Sequence, residues 1–126
     1  MKLKDMWGVA IMKGIIYYES SFEKANEELK KIVDRYNQMQ IPVVKCHYKR
    51  IGSYAEFENG DIWKVVKAND SARGFRCNIA YIERCINYDI YRCIIAPKMF
   101  DFPYSAMRLW GEGDLHISDE PPLPFR

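Results

Sequence analysis

Residues 53–68 read SYAEFENGDIWKVVKA. Apolar and polar side chains alternate on both sides of Asn59-Gly60, the strongest short-range signal for a β-hairpin. Strands are therefore expected over 53–58 and 62–68, with Glu56, Glu58 and Lys64 marking a partly solvated ladder. Just upstream, residues 42–50 (PVVKCHYKR) add another strand, in which Lys45, His47 and Lys49 share one face. That face reads first as a solvated edge that lysines protect from aggregation.

Before this strand lies the clearest helix, over about 21–39. Phe22, Ala25, Leu29, Ile32, Val33, Tyr36 and Met39 recur at helical spacing, and Glu23, Lys24, Glu27, Lys30, Lys31 and Asp34 occupy the opposite face. Ser20 or Ser21 supplies the cap, Ser20 with Glu23 fits the capping-box spacing, and Pro42 follows the helix. Residues 6–19 are rich in β-formers and interrupted by Lys13-Gly14, so one bent strand or a tight hairpin is expected there. Downstream, 69–74 is a polar loop and 77–83 a strand with an apolar centre. Residues 86–91 allow one helical turn, and 92–96 (RCIIA) read as a strand stopped by Pro97. The sum is an α/β domain: a mixed, mostly antiparallel sheet, one main helix packed on a face, and an irregular C-terminal region. Within that region the second half of 100–110 reads as a weak strand, and 120–126 form a Pro-rich tail read as extended and mobile.

The chain has 126 residues, enough for a single domain over 1–126 with its own core. A hydrophobic content of 48% excludes wholesale disorder. Apolar runs are too short for a membrane span, and the first residues lack the apolar core of a secretory leader, so a cytoplasmic protein is expected. The net charge of +2 does not argue for nucleic acid as a partner. Cys46, Cys77, Cys85 and Cys93 include no C-x-x-C pair, so reduced thiols are expected, and no metal or other cofactor.

Residues 52–84, GSYAEFENGDIWKVVKANDSARGFRCNIAYIER, carry a further signal. The stretch up to Pro97 resembles the part of phage terminase large subunits where a hairpin leads through S-A-R-G-x-R into the Walker B strand. The resemblance implies a viral setting and a nucleotide-shaped ancestry. In that family the strand ends in Asp-Glu; here Glu83 and Arg84 stand in those positions. A guanidinium cannot act as a base. No G-x-x-x-x-G-K-[ST] phosphate loop occurs in the chain. Catalytic residues are therefore not expected, and neither is ATP hydrolysis.

A nucleotide-binding surface, if kept, would use Arg73, Phe75, Arg76 and Asn78, with Arg108 closing the site. Arg73 and Arg76 offer planar forks for phosphate, Phe75 a stacking face, and Asn78 an amide for a base edge or ribose hydroxyl. The competing readings are internal ion pairs for the arginines and a core position for Phe75. The resulting expectation is a phage-encoded, non-catalytic protein that sequesters a cyclic nucleotide or cyclic ADP-ribose signal in the host cytoplasm. As a homo-oligomer it would hold its pockets between copies. One alternative is a protein-interaction module that inhibits a host enzyme or assists DNA packaging. Another is a small metal-dependent nuclease using Glu56, Glu58 and Asp61.

Overall fold

A computed structural model of the chain describes residues 11–68, 77–98 and 106–116. Six strands form one sheet: β1 (Lys13–Tyr18), β2 (Val43–His47), β3 (Tyr54–Phe57), β4 (Ile62–Lys67), β5 (Ile79–Glu83) and β6 (Ala106–Trp110), in the order β2-β3-β4-β1-β5-β6. The sheet is mixed. The β2–β3 and β3–β4 ladders are antiparallel. The β1–β4, β1–β5 and β5–β6 ladders are parallel. The class, the mixed sheet and the single main helix agree with the sequence reading, although parallel pairing extends further than the hairpin-rich middle suggests.

Helix α1 (Phe22–Gln38) lies across β1, β4, β3 and β2. Its apolar stripe of Ala25, Leu29, Ile32, Val33 and Tyr36 meets Ile16, Ala55, Phe57, Trp63 and Val65. Ser21 is the cap, accepting from the amides of Glu23 and Lys24 at 3.2 and 3.4 Å, so the Ser20–Glu23 capping box does not form. Ser20 is used elsewhere. The other sheet face buries Ile15, Tyr17, Ala80 and Ile82 against Ile86, Ile95 and Leu115. Strand β1 is therefore covered on both faces, which explains its uninterrupted apolar run.

The hairpin forms where expected, but its turn is not the two-residue kind. Phe57 N–H bonds Asp61 O at 2.9 Å, and Gly60 sits at φ 97°, so three residues and a glycine bulge close it. Asp61 then turns inward to 5% exposure. Its Oδ1 accepts from Met12 N–H at 2.9 Å, and its Oδ2 from the Tyr36 hydroxyl at 2.7 Å and Asn59 Nδ2 at 3.1 Å. Trp63 Nε1 donates to the Tyr36 oxygen at 3.1 Å. Hairpin tip, β1 and α1 thus share one buried polar cluster.

The part of 6–19 before residue 11 lies outside the described residues; in the described part Lys13-Gly14 begin β1, where the glycine leaves room for the Trp63 ring. Residues 92–96 are not a strand. A helical turn, α2 (Tyr88–Ile90), runs on through a π turn at Tyr91–Ile95 and a 3-10 turn at Ala96–Lys98. Asn87 starts it by accepting from Asp89 N–H at 2.7 Å. Burial of Ile86 and Ile95 against β1 and β5 overrides the β-propensity of Ile94-Ile95. The weak strand expected in the second half of 100–110 is β6. The tail at 120–126 lies outside the described residues.

Leu29 is fully buried. Leu29→Ala is expected to cost about 2–5 kcal/mol in denaturant unfolding. Asp61→Ala removes the acceptor of the Met12 amide and of the Tyr36 hydroxyl proton and is expected to cost about 1–3 kcal/mol for each donor. A wild-type unfolding midpoint for Asp61→Ala would show that the cluster is not needed. Gly14→Ala puts a Cβ inside the Trp63 ring and is expected to cost about 1–3 kcal/mol.

Candidate functional site

Open α/β sheets bind ligands at the carboxyl ends of their parallel strands, above all where a strand runs into a helix N-terminus. In this chain that place is the β1–α1 turn, Glu19 to Ser21, with the ends of β5 and β6 beside it. The turn is short, and no glycine opens it to a phosphate.

It is also already filled. Glu83, the last residue of β5, is 3% exposed. Its Oε1 accepts from the Glu19 and Ser20 amides at 2.9 and 3.0 Å, and its Oε2 from the Ser20 hydroxyl. A carboxylate of the chain itself occupies the position where these amides would meet an anion. Burial works to raise the Glu83 carboxyl, but the bonds from Glu19, Ser20 and Cys85 outweigh it and hold the group below the usual glutamate range. It is therefore ionised at neutral pH with its acceptor sites in use, which does not suit a general base. The neighbouring Cys85 thiol is pushed up by burial first, then by its bond to Glu83 and the Glu83 charge. It stays protonated at neutral pH and is a poor nucleophile.

The following turn closes over the same edge. Arg84 N–H bonds Trp110 O at 2.9 Å, Arg84 Nη1 bonds Gly111 O at 3.2 Å, and Leu115 N–H returns to Arg84 O at 2.9 Å. A Cβ on Gly113 would overlap the Arg84 backbone, so this closure requires glycine. Arg84, in the position of a catalytic glutamate in the terminase-like reading, is a clasp between β5 and the turn after β6.

Of the residues expected to bind ligand, Asn78 and Arg108 are described, and the structure does not bring these two together. Arg73, Phe75 and Arg76 lie outside the described residues. Asn78 is buried at the opposite, amino-terminal end of β5, where its Oδ1 accepts from Lys13 N–H at 2.9 Å and its own N–H bonds Lys13 O at 2.7 Å. Arg108 lies in β6 across from Tyr81, three residues further along the ladder, or about 10 Å. Alternation with Trp110 puts Arg108 on the same sheet face as α1, beside strands that α1 does not cover. Of the acids read as a nuclease centre, Asp61 has both oxygens committed to protein donors. Among the described residues no cluster of three His, Cys, Asp or Glu could hold a metal.

Two surface features stand out among the described residues. A shallow depression of about 180 Å³, lined by Asn37, Gln40, Ile41 and Pro42, is smaller than a ligand pocket of about 300–1,000 Å³. The second feature is β2, which ends the sheet. Val44 on this strand is 68% exposed and Ile51 just beyond it is 83% exposed, with Lys45, His47, Lys49 and Arg50 between them. The basic residues here are legible in the sequence; the exposure of Val44, and of Ile51 beyond the strand, is not.

Comparison with family models, curated proteins and solved structures finds no match to the chain. Among the described residues no helix is long and apolar enough to cross a membrane.

Because folding lowers the Glu83 pKa, its stabilisation is complete above the usual glutamate range and is lost as pH falls below it. Glu83→Gln should lower stability at pH 7 by about 1.5–3 kcal/mol, the worth of a charged hydrogen bond, and flatten the acid limb of a melting-temperature profile. An unchanged profile in the variant would show that the carboxylate does not hold the turn.

Proposed function

We infer that the protein is a non-catalytic interaction module that binds another protein through the open edge of its sheet. The observation that carries this reading is β2, among the described residues a terminal strand, with Val44 and Ile51 exposed at either end of a basic strip. An unpaired edge offers backbone donors and acceptors to an added strand, and exposed aliphatic side chains reward its docking. At the β1–α1 turn a nucleotide phosphate would have to displace Glu83. The terminase-like stretch at 52–97 supports a viral setting, in which such a module would inhibit a host enzyme or assist packaging.

A second reading is favoured by Arg108 opposite Tyr81 on the part of the sheet that α1 leaves uncovered. A guanidinium beside an aromatic ring suits a phosphate-bearing base, and Arg73, Phe75 and Arg76 would complete a site for a cyclic nucleotide or cyclic ADP-ribose signal.

A melting screen separates the two. The chain is heated with ATP and Mg²⁺, with cyclic di- and trinucleotides, and with cyclic ADP-ribose isomers, each well above micromolar. The interaction reading expects no shift and no phosphate release. A ligand at about 100 times its Kd adds roughly 2.7 kcal/mol, a rise of several degrees. Such a rise, abolished by Arg108→Ala, would replace the interaction reading with ligand sequestration.

A further inference from the structure

We propose that the β2 edge takes an acidic, extended segment of the partner protein as an added strand. This rests on the interaction reading above and names the chemistry of the partner.

The extended conformation follows from the backbone. Among the described residues β2 pairs only with β3, so its outer side is left for another strand. The acidic character follows from the side chains. From Lys45 to Arg50 the chain reads KCHYKR, with three permanent cations, one histidine and no acid. Two acids approach the strip from elements packed beside it: Glu56 stands across the ladder from Lys45, and Asp34 of α1 bears on Tyr48. Neither neutralises Lys49 and Arg50. Opposite charges on facing strands stabilise pairing, and like charges oppose it. Apolar positions in the partner follow from Val44 and Ile51, which flank the cationic stretch.

A second copy of this chain fits poorly, because edge-to-edge pairing would set cation against cation. Nucleic acid fits less well than peptide. The ring faces that could stack on bases already carry cations of this chain: Lys30 Nζ stands 5.3 Å from the Tyr48 ring centre, Lys49 Nζ 5.9 Å from Tyr54, and the Arg50 guanidinium 5.8 Å from Phe22. Val44 and Ile51 would have no contact to make with a phosphate backbone. Lys45 and the register shift between Val43 and Lys45 are the usual guards against indiscriminate edge pairing. An acidic strand turns that guard into attraction and is selected by it.

The test titrates the whole chain at low salt with a dye-labelled ten-residue peptide alternating Glu and Val, read by anisotropy and by backbone amide exchange. Binding is expected, with slowed exchange confined to 43–47 and their neighbours. Lys45→Glu with Lys49→Glu, both at exposed positions, should weaken binding at least tenfold while leaving the melting temperature near wild type. The same peptide N-methylated at alternate residues, which cannot pair through those amides, should not bind. The proposal is overturned if the N-methylated peptide binds equally, if protection appears away from β2, or if oligo(dT) binds and the peptide does not. It is also overturned if no probe binds. With a silent nucleotide screen, those failures remove the acidic-strand proposal and leave the interaction reading in place. A nucleotide-induced melting shift removes the interaction reading itself.

Discussion

Strand β1 is held at each end by a buried carboxylate from a neighbouring strand. At its entry, Asp61 ahead of β4 accepts the Met12 amide, and at its exit, Glu83 of β5 accepts the Glu19 and Ser20 amides. These amides lie just outside the parallel ladders, where a strand has run out of partners but the chain is still packed. An amide left unpaired there would cost about 1–3 kcal/mol. A carboxylate satisfies the amides and, as the acceptor of a charged hydrogen bond, binds them about twice as strongly as a carbonyl would. Because β1 is the strand on which both halves of the sheet meet, fixing its two ends fixes the register of the parallel half against the hairpin half.

That arrangement bears directly on function. Fold topology alone would direct attention to the β1–α1 turn, but topology does not establish activity. Glu83 cannot both brace the turn and leave its amides to a ligand. The carboxyl edge is thereby taken up with structural work, and the Gly111–Leu115 turn folds over the end of β5 beside it. Among the described residues, what remains open is the outer side of β2, which pairs with β3 alone and exposes Val44.

Much of this was legible in the sequence where the signals are local. The alternation around Asn59-Gly60 and the helical spacing from Ala25 to Tyr36 carry their own periods, and both elements form within a residue or two of expectation. What failed was the choice between competing local preferences. Ile94-Ile95 favoured a strand, but the layer beneath β1 and β5 needed Ile86 and Ile95 on one helical face, and Asn87 was there to start the turn. Gly14 looked like a break because the cause of its position, the Trp63 ring, lies 49 residues away in sequence. The bonds between Glu83 and the β1–α1 turn span 63 and 64 residues, and no spacing rule reaches so far. Glu83 could be singled out only through its place at a strand end, and Ser20 only as a rival cap to Ser21.

The same distinction explains why the basic strip is informative only in context. On a strand inside a sheet, Lys45, His47 and Lys49 would read as one solvated face with no further meaning. On an edge, the same residues decide what can pair with it. A short, cationic edge is a poor template for its own kind and a good one for a strand of opposite charge. Val44 and Ile51 argue against protection as the whole explanation, since an edge kept solely from pairing gains nothing by exposing aliphatic surface beside its lysines. Selective pairing needs both: charge to reject the wrong strand and apolar contact to hold the right one.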